Sequence, residues 1–369
     1  MRKNLKIIAA CQDVGGCNAI YPVVCSLRAS GYKVNLYASS YSAKMLKKKN
    51  AGFREIEKKD FDNVHAIFDG VRPDIVLLGT SLGFSLEDAL VEESRKRRIK
   101  TIAVFDSWFN YSLRFTDTVN RKNLRYLPDY ICVSDDFVQA QMQKENIPEE
   151  RIVVTGNPYF DDLGREAKKY TRQDKSKLLA RYGVSADTVV VSFFSQAIDK
   201  SFGTDSRSKS FLGYTQFEAL KILLSALKKF NNESKILLII RPHPKEAISA
   251  YAEFSQDNGY LRVAVSNREE PRKIIALSDI VCGMFSLMLV EAYLMKRNIL
   301  SIQPNLKVEN PLILSRLGLI KSLENSREVL RKLKLFMKNK RSVKIRNFLK
   351  TGKSTRNVVD LISGVIQNQ

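Results

Sequence analysis

Short apolar runs rich in β-branched residues recur along the chain, and the stretches between them place their apolar residues at helical spacing. In the first half the runs are 5–10, 33–38, 75–78, 101–105, 130–133 and 152–155; in the second they are 188–194, 236–240, 261–265, 280–282 and 298–302. Strand-like runs alternating with helical patterns predict a mainly parallel sheet covered by helices, twice over. Polarity and charge rise between the two series, over 164–177, which puts a boundary between Asp161 and Ser185. The expected organisation is an N-terminal domain at 1–165, a linker at 166–185, a second domain at 186–330 and basic C-terminal helices at 331–369. Two doubly wound α/β domains facing across a cleft would bring strand ends and helix N-termini together, where open α/β sheets hold ligands.

Composition narrows the possible partners. The 369 residues are 44% hydrophobic, with 17 Gly and 10 Pro, which fits ordinary globular domains and excludes a fibre or a disordered chain. Sixty-one Lys and Arg against 39 Asp and Glu leave a net charge of +22, so the partners are anionic: nucleic acid, phosphorylated small molecules or an acidic membrane. Five cysteines, an odd number, lack the paired spacing of zinc ligands, and the only histidines are His65 and His243. These read as buried thiols of a reduced, cytosolic protein, with no metal site and no cofactor. No apolar stretch approaches the roughly 18 residues of a membrane span, and the run at 5–10 reads as a first strand rather than a signal peptide. Over 321–356, thirteen Lys or Arg face two Glu among regularly spaced apolar residues. That pattern is a basic amphipathic helix, packed on the domains or docked peripherally on an anionic membrane.

Four segments that follow predicted strands carry candidate chemistry. Asp13, Gly15 and Gly16 lie between the first strand and a helix expected at 19–30; glycines there allow a ligand to approach backbone N–H groups, although the G-x-G-x-x-G spacing of dinucleotide sites is absent. Arg241, His243 and Lys245 alternate around Pro242 and Pro244, so an extended loop would present all three cations to a pyrophosphate. Ser286 stands at the start of a helix that carries Glu291, a pairing that suits a phosphate and a ribose diol or, as readily, a plain cap and a surface carboxylate. The fourth segment, 104–115, holds Asp106, Trp108 (the only Trp) and Asn110, and reads equally as a sugar site with a carboxylate base or as an aromatic plug.

The order of these motifs resembles the GT-B superfamily of two Rossmann-like domains: Thr155-Gly156-Asn157-Pro158 with Asp161, the Arg241–Pro244 turn, and the Ser286 to Glu291 helix. Over roughly 1–320 it is most similar to UDP-N-acetylglucosamine 2-epimerases and to surface-polysaccharide proteins such as CDP-glycerol glycerophosphotransferases. The resemblance implies that the second domain holds the nucleotide through Ser286, Glu291, Arg241 and His243, and that the acceptor or sugar lies against Gly15, Gly16, Trp108 and Asn110. Where epimerases carry acidic Gly-Asp-Thr and Glu-Ala-Gly-Leu-Arg motifs, this chain reads Gly79-Thr80-Ser81 and Asp106-Ser107-Trp108-Phe109-Asn110, which favours a transferase.

The expected activity is therefore metal-independent transfer of a sugar from a nucleotide-activated donor to a glycan or lipid-linked acceptor of bacterial surface polysaccharide, with Asp106 or Asp13 as the base. The alternatives are an epimerase-like isomerase or hydrolase and a glycerophosphotransferase. No nucleic-acid module accompanies the charge, so nucleic acid is not an expected partner.

Overall fold

The computed structural model describes residues 5–117, 120, 123–230, 234–338, 349 and 352–367. It divides into two compact units: Met1–Asp162 with Asn347–Gln369, and Leu163–Arg346.

Unit 1 is built on seven parallel strands: β1 (Lys6–Cys11), β2 (Lys33–Ala38), β3 (Arg54–Glu55), β4 (Ile75–Leu78), β5 (Lys100–Val104), β6 (Tyr130–Val133) and β7 (Ile152–Val154), in the order β3-β2-β1-β4-β5-β6-β7. The central strands are buried along their whole length, as β4 with Ile75, Val76, Leu77 and Leu78 illustrates. Continuous rather than alternating apolar runs are the mark of a sheet covered on both faces. One face packs under the helix Val14–Ala29 with Ile20, Val23, Val24 and Leu27, and the other under Phe61, Phe68, Leu86 and Leu90.

Unit 2 has six strands, β8 (Val189–Phe194), β9 (Ile236–Arg241), β10 (Gln256–Asp257), β11 (Leu261–Val265), β12 (Ile280–Gly283) and β13 (Asn298–Ser301), ordered β10-β11-β9-β8-β12-β13. All pairs are parallel except the short edge pair β10 and β11. Both sheets are thus doubly wound, as the alternation of runs predicts; the two-residue strands β3 and β10 were too short to leave a pattern.

The domain limits differ from the expected ones in two places. The stretch 166–185 is not a linker: it forms the helices Leu163–Lys169 and Arg172–Arg181, which belong to unit 2. Leu163, Leu178 and Leu179 are buried, and Thr171 and Asp174 close a capping box, so the charge that suggests a linker is the solvent face of two helices. The expected 331–369 tail is also divided. The helix Ser326–Lys338 buries Val329 and Leu333 in the core of unit 2, whereas Ser354–Gln367 returns to unit 1 and sets Val358, Ile362 and Val365 against the helix Val14–Ala29. Asp161 anchors that return, accepting hydrogen bonds from the backbone N–H groups of Gly352, Ser354 and Thr355 at 2.7, 3.0 and 2.7 Å. Within the basic stretch 321–356, residues 339–348, 350 and 351 lie outside the described residues. Cys11, Cys17, Cys132 and Cys282 are buried free thiols, and Cys25 is an exposed one. No described helix is long and apolar enough to cross a membrane.

Candidate functional site

In unit 2 the chain starts at β8, runs outward through β9 to β11, and returns to β12 on the other flank of β8. Loops leaving the carboxyl ends of β8 and β12 therefore diverge, which opens a crevice at that point. The crevice is edged by Ser195 and Gln196 after β8, by Arg241 to Pro244 at the end of β9, and by Met284 to Ser286 after β12. Gln196 ties the two sides together, its Oε1 accepting from the Phe285 N–H at 2.9 Å.

The β9 turn is held from behind by Glu246. Its carboxylate accepts from the His243 N–H at 2.6 Å, from the Tyr251 hydroxyl at 2.6 Å and from Ser195 Oγ at 3.2 Å. Burial, reinforced by the hydrogen bond to Glu246, pushes the Tyr251 phenol well above its ordinary range, so it remains a donor. His243 Nδ1 accepts the Lys245 N–H at 3.1 Å, which assigns the ring proton to Nε2. Burial also lowers the pKa of His243, against the opposing pull of Glu246, so at neutral pH the ring is a neutral donor through Nε2. Arg241 is half-buried and spends Nη1 on the Glu269 carbonyl at 2.6 Å; its other N–H groups make no hydrogen bond to the described residues. Ser286 is the N-cap of the helix Leu287–Leu294, its Oγ accepting from the Met288 N–H at 3.2 Å.

Glu291 requires a correction. It is fully buried inside that helix and accepts from Arg272 Nε at 2.9 Å, while Arg272 Nη1 reaches Glu166 at 2.5 Å. A carboxylate with no accessible surface, already held by a guanidinium, presents nothing to a ribose in this conformation. Through Arg272 it joins the helices Leu287–Leu294, Pro271–Leu277 and Leu163–Lys169.

Unit 1 has the matching change of direction between β1 and β4. Gly15 and Gly16 lie in the first turn of the helix Val14–Ala29, not in a loop ahead of a helix at 19–30, because Asp13 takes the extended N-cap conformation. Here the backbones nearly touch: a methyl group on Gly16 would meet Thr80 N at 2.6 Å, and one on Gly79 would meet Gly16 Cα at 2.9 Å. A methyl on Gly15 would fall 1.8 Å from Asp106 Oδ2, so the absent side chain is the space that the Asp106 carboxylate occupies. Asp106 Oδ1 accepts from Thr80 Oγ1 and from Arg114 Nη1, both at 2.9 Å. Asp13 Oδ2 accepts the Leu82 N–H at 3.4 Å. Asp13, Gly15, Gly16 and Asp106 are thus brought to one place.

Trp108 is not. It is 6% exposed, stacked on Phe160 with ring centroids 6.0 Å apart, and its Nε1 donates to Asp135 at 2.8 Å. The plug reading of this segment holds for Trp108, and a sugar-stacking role does not fit a buried ring. Asn110, at φ 57°, turns the loop beside it, and the neighbouring Phe109 is the ring left exposed, at 51%.

Three residues of this place lie in segments the sequence offers but carry no role there. Arg114 lies eight positions from Asp106, a spacing that suggests nothing until a 3-10 turn at Ser112–Phe115 folds it back. Thr80 is one of many threonines that follow a strand. Glu87 is fully buried: its Oε1 accepts from the Gln12 N–H at 3.0 Å and from Ser81 Oγ at 2.9 Å, and burial pushes its carboxyl up to about 7. Its neighbour Asp88, in the capping box with Ser85, is pushed up to about 8 by burial and by Glu87. A readable signal exists for these two, since the helix Leu86–Arg97 opens with apolar residues on every side of the acids.

The structure is similar to UDP-GlcNAc 2-epimerase from Methanocaldococcus jannaschii, with a TM-score of 0.71 and 14% identity over 98% of this chain and 99% of that one. It is similar to a glycosyltransferase from Rickettsia africae (TM-score 0.66, 12% identity, 99% and 100% covered) and to HepE from Anabaena in complex with UDP and glucose (0.63, 14%, 97% and 99%). At such identities the likeness is one of fold, two Rossmann-like domains of the GT-B kind. No curated protein matches the chain. A family model, described as CDP-Glycerol:Poly(glycerophosphate) glycerophosphotransferase, matches residues 109–363.

Proposed function

Because the chain belongs to the CDP-glycerol:poly(glycerophosphate) glycerophosphotransferase family, we propose that it transfers a glycerophosphate or sugar unit from a nucleotide-activated donor to a hydroxyl of a surface-polymer or lipid-linked acceptor. The observation that carries this reading is the β9 turn. His243, with its proton on Nε2, and the uncommitted N–H groups of Arg241 stand at the crevice of unit 2, where a departing nucleotide phosphate needs donors. Ser286 and the helix it caps add N–H groups to the same edge.

For a glycerophosphate donor the acceptor hydroxyl gives its proton to a unit 1 carboxylate, Asp106 or Asp13, and its oxygen bonds the phosphorus beside the glycerol. The bond from that phosphorus to the nucleotide monophosphate breaks, and Arg241 and His243 hold the charge of the leaving group. For a sugar donor the same groups hold a nucleotide diphosphate. Asp106 is the stronger candidate base, being fixed by Thr80 and Arg114 with Oδ2 left at the helix N-terminus. The Arg114 guanidinium is 8% exposed and lies 5.3 Å over the Phe105 ring, so the pair is rigid.

Contact with an anionic membrane is part of the proposal in an electrostatic form only. The apolar stripe of Ser326–Lys338 is spent on the core of unit 2, which leaves Arg327, Arg331, Lys332, Lys334 and Lys338 exposed to attract lipid headgroups.

The test is donor binding followed by transfer. Wild-type protein should be stabilised by CMP, CDP or UDP in a thermal-shift series and should incorporate label from CDP-glycerol or a UDP-sugar into polymer only when acceptor is present. His243→Ala should lower kcat by about 10²- to 10³-fold, the usual loss for one donor to a developing charge. An epimer or free UDP formed from UDP-GlcNAc without acceptor would favour the isomerase or hydrolase reading instead.

A further inference from the structure

A second cationic cavity lies in unit 2 at the amino ends of β8, β12 and β13, the opposite end of the sheet from the β9 turn. It encloses about 520 Å³ and is lined by Arg172, Lys175, Asp279, Lys296, Arg297 and Asn298, with Phe336 and Met337 as an apolar wall. Lys175 is spent on Asp279, with both carboxylate oxygens at 2.7 Å from Nζ. Asp187 is the other acid at the rim. Arg172, Lys296 and Arg297 therefore outnumber it.

Two polar atoms here have no partner. Arg297 Nε and Asn298 Oδ1 are both buried and make no hydrogen bond, and Arg297 has no ion pair among the described residues. Burial also lowers the Arg297 pKa, and the attraction of Asp279 offsets that desolvation only in part. The adjacent Lys296 sits at φ 60°, a left-handed conformation that costs a lysine more than a glycine. The exposed Arg172 and Lys296 and the half-buried Arg297, gathered on one cavity, fit a ligand that offers an anion.

We propose that this cavity is a binding site for the phosphate-and-polyol backbone of an anionic polymer, with the phosphodiester on Arg297, Arg172 and Lys296. The choice of polymer rests on the glycerophosphate reading of the function. The site is distinct from the donor crevice, and it would keep the growing product on the enzyme between additions by raising its effective concentration.

Calorimetry on the full chain, with a short synthetic glycerol-phosphate oligomer as probe, tests it. The oligomer should bind wild-type protein, and Arg297→Gln should weaken it by about tenfold, as expected for loss of a charge-assisted hydrogen bond. The exposed double substitution Arg172→Ser with Lys296→Ser should weaken binding similarly and serves if Arg297→Gln fails to fold. Neither should alter stabilisation by CDP or UDP. His243→Ala should do the reverse, which separates failure of this site from failure of the donor reading: oligomer binding without nucleotide binding leaves the site standing and removes the proposed activity. The proposal is overturned if the oligomer does not bind, if the variants bind it as wild type does, if polyglutamate competes equally, or if Arg297→Gln instead abolishes binding to phosphatidylglycerol vesicles that the oligomer cannot displace.

Discussion

The two units turn their sheets at equivalent points but hold the resulting edge by different means. In unit 1 the first turn of the helix Val14–Ala29 and the segment leaving β4 approach until Gly16 and Gly79 leave no room for a methyl group, and the charged groups are paired inward: Asp106 with Arg114 and Thr80, Glu87 with Ser81 and Gln12. In unit 2 side chains span the gap, Gln196 to the Phe285 N–H and Glu246 to the His243 turn, and donors are left pointing away from their supports. Backbone contact gives a rigid seat for one carboxylate. Side-chain clamps give a row of donors that a ligand's charge completes. The first suits proton abstraction and the second suits an anion, which is the division of labour the proposed transfer requires.

This contrast breaks most clearly at Asp106. Asp106→Asn keeps the shape and the hydrogen bond from Thr80 but removes the base, and transferase kcat should fall by about 10²- to 10⁴-fold with donor affinity unchanged. Equal activity in the variant would move the base to Asp13. Glu291→Gln should act on the fold rather than on the donor: removing one partner of a buried ion pair costs about 3 kcal/mol in urea melts, while the thermal shift with nucleotide persists. A lost nucleotide shift in a folded variant would restore the ribose role. Gly16→Ala places a methyl 2.6 Å from Thr80 N and should destabilise unit 1 by about 1–3 kcal/mol. The single Trp, Trp108, reports that unit by fluorescence.

Unit 1 should also show a pH dependence. Glu87 rises from 4.5 to about 7 on folding, so between those values the native state binds the extra proton. Stability is then present below about 4.5 and is lost as pH rises through about 7, at no more than about 1.4 kcal/mol per pH unit, and Asp88 adds in the same sense. Urea melts followed at Trp108 should show lower stability at pH 8 than at pH 5.5, and Glu87→Gln should flatten the difference. A wild-type profile already flat would mean that the buried carboxyl gains hydrogen bonds in its charged form that offset its desolvation.

Much of the fold was legible because doubly wound sheets are written in local pattern: continuous apolar strands, helical spacing between them, and turns at the strand ends. The Arg241 to Pro244 turn was legible for the same reason, since its chemistry is carried by neighbours in the chain. The departures share one cause. The charged helices at 163–181 read as a linker because only Leu163, Leu178 and Leu179 reveal what they bury. Glu291 and Trp108 read as ligand contacts because their partners, Arg272 and Phe160, are 19 and 52 positions away. Arg114 and Glu87 stood in candidate segments but received no role, because a carboxylate's partner is fixed by packing and not by spacing.

The amino-acid sequence alone determined the two α/β units, the excess of cations and the polar segments that leave the strands. Only the tertiary structure decided which of those polar groups face a ligand and which are consumed within the protein. Periodicity specifies which face of a strand or helix is apolar, but burial and pairing of a charge depend on contacts between distant segments. A buried charge must find its partner through the fold, so its role is readable only once the fold is formed.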